Sequence, residues 1–165
     1  MAPEINSLPW GKETMRVPLQ EGWKVAGVLE PATLPPVEDI GAETRNAIQN
    51  PIGSPRLRDL YRPGIKVALV VDDGSRPTPV CDLIPAVFEE LKSAGLRWSD
   101  ITLTPALGLH RPMEASEMAA RIGFPDLAGL NWENPECDNA DKLAFLGTTS
   151  RGTPVWLNKT VAEAD

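Results

Sequence analysis

Histidine and cysteine are scarce in this chain, whose 165 residues include one of the first and two of the second. A single imidazole cannot supply the two-histidine acid/base pair or the multi-histidine metal site that many enzymes carry. Either the chemistry is simple or the chain is an incomplete part of a larger enzyme. Two cysteines make no disulfide framework. A chain of this length buries roughly 70% of the surface that its unfolded form exposes and needs none, so Cys81 and Cys137 read as reduced thiols. Basic residues are outnumbered, 16 to 23, for a net charge of -7. That balance leaves no basic face to neutralise phosphates, which argues against nucleic acid or an anionic membrane as partner and for a small molecule. No run approaches the roughly 20 apolar residues of a membrane span, and the first residues lack the apolar core of a secretory signal. The expected compartment is therefore the cytoplasm. The passage from Trp156 to Asp165 stops without a turn, a cap or a polar tail, which again reads as incompleteness. Trp10, Trp23, Trp98, Trp132 and Trp156 have no helical spacing and form no platform for stacking bases.

What the chain does have is a change of texture along its length. Residues 1–36 are rich in proline and turn formers, with short alternating runs at Met15 to Leu19 and Val25 to Leu29. These predict a small hairpin arm packed on an α/β core of residues 37–165, the two together forming one domain. Short helices are expected at Ala42 to Gln49 and Arg56 to Tyr61, separated by Asn50-Pro51-Ile52-Gly53-Ser54-Pro55. The β-branched run Ile65 to Val71 predicts a central strand buried on both faces of a parallel sheet. Val80, Ile84, Val87, Phe88 and Leu91 recur at helical spacing, with Thr78 placed as N-cap, Pro79 at the first helical position and Gly95 past the end. A second strand is expected at Asp100 to Leu107, then a helix from about Met113 to Ile122 closed by Gly123. Leu143 to Leu146 and Thr153 to Leu157 read as a C-terminal β-hairpin. The fold class is thus α/β, a three-layer, Rossmann-like core with a parallel sheet and a hairpin at each end. Two successive strand–loop–helix units imply a right-handed crossover, so both loops emerge at one sheet edge, where ligands of open α/β sheets bind.

The two loops carry the chemistry. In Asp72-Asp73-Gly74-Ser75-Arg76-Pro77-Thr78-Pro79, the acids and hydroxyls serve equally well as turn formers and caps. Arg76 is different, because a guanidinium at this edge can hold a carboxylate by two parallel N–H bonds. In Gly108-Leu109-His110-Arg111-Pro112, the lone histidine stands where it can exchange a proton near neutral pH. The reading requires Arg76 and His110 to project into one cleft. Gly147 to Gly152 has neither Walker spacing nor the dinucleotide-binding order of glycines and reads as a plain hairpin turn. Cys81, near the first turn of its helix, reads as a core residue.

Four motifs in order carry a resemblance: Asn50 to Pro55, Asp73-Gly74-Ser75-Arg76-Pro77-Thr78-Pro79, Gly108-Leu109-His110-Arg111-Pro112-Met113, and Leu146 to Val155. Together with Asn158 to Asp165, they make residues 8–165 similar to the N-terminal domain of nickel-pincer lactate racemases. The resemblance implies a two-domain enzyme with a nickel-pincer pyridinium mononucleotide between its domains. The partners it implies are the C-terminal domain of the same enzyme and a small 2-hydroxy acid such as lactate. It makes His110 one of two acid/base histidines, Arg76 the clamp for the substrate carboxylate and Asp73 the acid of the same loop, with Ser75 and Thr78 on the cofactor side. The reaction implied is isomerisation by hydride transfer through a planar keto acid. The second histidine, the cofactor lysine and the nickel-ligating histidine are expected beyond residue 165, and the 165 residues alone are expected to be inactive. Asn131-Trp132-Glu133-Asn134 departs from the Asn-His-Asp of relatives. A carboxylate-binding module without chemistry and a degenerate structural homologue remain the alternatives.

Overall fold

The computed structural model describes residues 7–27, 29, 31–125, 127 and 129–165. The chain divides into two compact units, Met1–Pro36 and Val37–Asp165. The first contains an antiparallel hairpin of β1 (Ser7–Trp10) and β2 (Glu13–Arg16), pairing Ser7 with Arg16 and Trp10 with Glu13. Gly11 takes φ +62° at the first position of the two-residue turn, where glycine meets no steric penalty. A hairpin was expected here but in other places. Met15 and Arg16 end β2, residues 25–27 and Leu29 are in no strand, and Val28 lies outside the described residues. Pro18 lacks the N–H that a strand through 15–19 would need.

The second unit opens with α1 (Ile40–Gln49), capped by Asp39, whose carboxylate accepts the Ala42 amide at 2.8 Å, and the single turn α2 (Leu57–Leu60). β3 (Val67–Asp72) leads into α3 (Val80–Ser93), and β4 (Ile101–Ala106) into α4 (Ala115–Ile122). β5 (Asn131–Trp132) completes a parallel sheet in the order β3-β4-β5, with Val67 beside Ile101 and Asp72 beside Ala106. The α/β class, the parallel pairing and both strand–loop–helix units follow the sequence reading.

Several elements differ from it in detail. β4, not β3, is the central strand: it buries Ile101, Leu103, Thr104 and Pro105, while Val70 of β3 is 47% exposed. A continuous apolar run signals a sheet strand and does not give its place in the order. Thr78 is not the cap of α3, which begins two residues later at Val80 behind Pro79 and has no side-chain cap. The Thr78 hydroxyl is committed instead to Asp72. Gly95 and Gly123 do end their helices, at φ +104° and +76°. The Leu96 amide reaches back to the Leu91 carbonyl and the Phe124 amide to that of Ala119. Cys81 is exposed rather than in the core.

The apolar core joins β3 and β4 to one face each of α3 and α4 through Val71, Ile84, Phe88, Leu103, Met118 and Ile122. β6 (Leu143–Thr148) and β7 (Pro154–Asn158) form the expected antiparallel hairpin. Its turn is closed by the Gly152 amide on the Thr149 carbonyl at 2.9 Å, so the Gly147 to Gly152 segment is a turn as read. The last passage is not uncapped. Asn158 caps the one-turn helix α5 (Lys159–Ala162), and Asp165 exchanges two hydrogen bonds with the backbone of Lys66 at 3.0 and 2.9 Å. None of the described helices is long and apolar enough to cross a membrane.

Candidate functional site

Parallel pairing of β3 and β4 brings the loops that follow them to the same sheet edge, one carrying Asp72 to Pro79 and the other Leu107 to Glu114. Between them opens a cleft of 730 Å³ lined by Asp73, Ser75, His110, Arg111, Glu117 and Arg121 among others. A cavity of 570 Å³ at the opposite, amino ends of the same strands holds Lys66, Arg97, Asp100 and Glu163. It has no imidazole, and its Arg97 and Asp100 are paired with each other.

Asp73 is the hub of the first cleft. One carboxylate oxygen accepts the Ser75 hydroxyl at 2.6 Å and the Ser75 amide at 3.1 Å, a tight turn of the kind that aspartate builds with the residue two positions on. The other oxygen meets His110 Nδ1. The Asp73 side chain is 8% exposed and that of His110 is 55% exposed, so the carboxylate sits behind the imidazole and the ring faces the cleft. The Ser75 hydroxyl first, and His110 second, hold the Asp73 carboxyl down at about 2. An ionised carboxylate accepts only, so the hydrogen between the two belongs to Nδ1 and the lone pair of the neutral ring is left on Nε2.

The guanidiniums at this edge are in different states. Arg111 forms a forked pair with Glu117 at 2.8 and 2.6 Å, and this bond, with the Glu114 amide behind it, holds the Glu117 carboxyl at about 2. Arg121 is committed to Asp72 and to backbone carbonyls of the β3–α3 loop. Arg76 is exposed, follows Asp73 in the same turn through its amide on the Asp73 carbonyl at 3.3 Å, and has no ion-pair partner among the described residues. The structure therefore joins Asp73 and His110 as one pair and puts Arg76 on the same loop, but off the lining of the cleft. Ser75 and Thr78 turn their hydroxyls to Asp73 and Asp72, the second at 2.5 Å.

Three further residues of the site, Arg111, Arg121 and Asn134, have no role in the sequence reading. Asn134 clasps both backbone groups of Met113, its carbonyl accepting the amide at 3.0 Å and its amide donating to the carbonyl at 2.9 Å. It thereby fixes the end of the His110 loop. Among the described residues no group of three His, Cys, Asp or Glu side chains could hold a metal ion.

The chain is similar to known proteins over nearly its whole length. Residues 10–165 match the family model described as the lactate racemase N-terminal domain. The lactate racemase of Thermoanaerobacterium thermosaccharolyticum is 24% identical over 160 residues, which are 96% of this chain and 37% of that protein. That of Lactiplantibacillus plantarum is 26% identical over 119 residues, 72% of this chain and 28% of that protein. The structure of the Thermoanaerobacterium lactate racemase apoprotein superposes with a TM-score of 0.75 at 25% identity, covering 96% of this chain and 36% of the other. The matched region thus spans little more than a third of the Thermoanaerobacterium protein and 28% of the Lactiplantibacillus one. With the motifs of both ligand-edge loops inside the matched region and the fold shared across nearly all its length, the chain belongs to the lactate racemase N-terminal domain family.

Proposed function

We propose that this chain supplies the hydroxyl base and the carboxylate clamp of an isomerase that racemises lactate or a closely related 2-hydroxy acid. The observation that carries the reading is the Asp73–His110 pair at the carboxyl edge of β3 and β4. Asp73 fixes the imidazole and its tautomer, so that Nε2 of His110 accepts the substrate hydroxyl proton. Arg76 stands on the same loop outside the lining of the cleft and has no ion-pair partner among the described residues; the role proposed for it, gripping the substrate carboxylate with its two-pronged N–H fork, requires its side chain to swing in from the rim. Removing a proton directly from the α-carbon of a hydroxy acid is hard, because that hydrogen is very weakly acidic. Loss of the hydroxyl proton together with the α-hydride avoids this and leaves a planar keto acid, to which both return on either face.

The nickel-pincer pyridinium mononucleotide implied by the resemblance would supply the hydride acceptor when bound. By the same resemblance its lysine and nickel-ligating histidine are expected beyond residue 165. The partners are accordingly the hydroxy acid and the C-terminal domain of the same enzyme. Ser75 contributes by holding Asp73, and Thr78 by holding Asp72.

The test is His110→Ala in the intact enzyme that contains this chain. Racemisation should slow by about 10²- to 10⁴-fold, the range for a positioned acid/base group. Unchanged turnover would remove His110 from the reaction and the reading with it.

A further inference from the structure

Arg121 lies in the last turn of α4, on a different element from every residue given a part in the reaction. Its side chain is 12% exposed, and its donors reach across to the β3–α3 loop. Nε donates to the Asp72 carbonyl at 3.1 Å, Nη1 to the Arg76 carbonyl at 3.2 Å, and Nη2 to the Asp72 carboxylate. One planar group therefore holds both ends of a five-residue arc. Inside the arc are Asp73, which meets His110, and Gly74, which without a Cβ gives the backbone freedom that must be removed some other way.

We propose that Arg121 is a positioning residue: by bracketing residues 72–76 it sets where the Asp73 carboxylate meets His110 and the direction in which Arg76 leaves the turn. This rests on the function proposed above. The Thr78 hydroxyl, on the far oxygen of Asp72 at 2.5 Å, supports the arc from the α3 side but touches neither of the two carbonyls. The charged groups around Asp73 are Asp72 beside it, His110 against it, and Arg111, Glu117 and Arg121 lining the same cleft. Arg111 and Glu117 neutralise each other, so Arg121 is the cation whose loss the arc would feel. A guanidinium presents five donors in a fixed plane, whereas lysine keeps the charge on a single nitrogen and cannot span three acceptors in that plane.

Arg121→Lys separates geometry from charge, and Arg121→Gln removes both. The Asp73 carboxyl is titrated in the 165-residue chain by carbon NMR, and racemisation is measured in the intact enzyme. In Arg121→Lys the Asp73 carboxyl should rise by about one pKa unit as its donors loosen. Turnover in the same variant should fall about 10- to 100-fold, the cost of misplacing a reacting group. Arg121→Gln should do at least as much. An Asp73 titration and a turnover in Arg121→Lys that match the parent protein would overturn the proposal. So would loss of the folded circular-dichroism spectrum in both variants, since Arg121 would then support the core and not the arc. Full activity of His110→Ala would instead defeat the proposed function, while the Asp73 titration still decides the role of Arg121.

Discussion

Asp73 shows how one side chain organises this site, because its two oxygens gather the turn that follows it and the histidine of the neighbouring loop. The same contacts make it a source of pH-dependent stability. Its carboxyl is lowered from the ordinary 3.8 to about 2, chiefly by the Ser75 hydroxyl and then by His110. A group depressed on folding stabilises the native state fully above its unfolded pKa and loses that contribution as pH falls through the folded one. The window therefore runs from about 4 down to about 2. Across it, the unfolding midpoint of the parent protein should converge on that of Asp73→Asn, which has no such proton to gain. Parallel midpoints across the window, followed by circular dichroism in urea, would contradict the assignment. Glu117 titrates over the same range because Arg111 and the Glu114 amide hold it at about 2, so Asp73→Asn should leave part of the acid sensitivity in place. Asp73, Arg76 and His110 stand on the two loops at the carboxyl ends of β3 and β4, as the strand ends and loop motifs of the sequence led one to expect. Arg121 and Asn134 were not legible there, since their work is done on backbone groups of distant segments, which no local pattern announces.

At the level of elements, the glycines that close helices were the most legible signals, and Gly123 shows why. It ends α4 at φ +76°, and a Cβ placed there would stand 3.0 Å from the Cβ of Cys81 and 3.5 Å from its backbone, at the start of α3. Gly123→Ala thus meets two costs. The left-handed backbone costs an ordinary residue about 1–2 kcal/mol, and crowding of the α3–α4 contact adds about 1–3 kcal/mol. A loss of about 2–5 kcal/mol in denaturant unfolding is expected. Adding Cys81→Ala should restore nothing, because alanine keeps the offending Cβ; recovery in that double variant would show that the Cys81 thiol, not the backbone approach, was responsible. Other boundaries were less legible. Pro77-Thr78-Pro79 offers two prolines and a hydroxyl to one helix start, and the structure resolves the contest by spending Thr78 on Asp72, leaving α3 to begin at Val80. β5 is two residues long, too short for alternation to register. The N-terminal hairpin lies upstream of its expected place because Gly11 supplies its turn.

For the molecule as a whole, the sequence pattern carried the parallel α/β class and the convergence of two loops, because both follow from strand–helix order and handedness. It could not carry which strand is central, since that depends on pairing partners rather than on any one segment. The hairpin β6–β7 keeps Phe145, Leu146 and Trp156 more than half exposed, with the rings of Phe145 and Trp156 4.9 Å apart and tilted 45° to each other. The matched relatives are nearly three times as long as the region shared with them. In the proposed reaction the planar keto acid has two faces, and inverting the carbon requires the hydride to return to the face opposite to the one it left, with a proton donor in reach of the oxygen in that orientation. This chain has one imidazole, and the proposed hydride acceptor is the cofactor rather than one of its side chains. The expected outcome is that the 165 residues alone, given L-lactate and the nickel-pincer cofactor, produce no D-lactate in an assay with stereospecific lactate dehydrogenases, while the cofactor-loaded intact enzyme does. Steady formation of D-lactate by the purified 165 residues, abolished by His110→Ala, would mean that a single base serves both faces and that this chain holds the acceptor by itself.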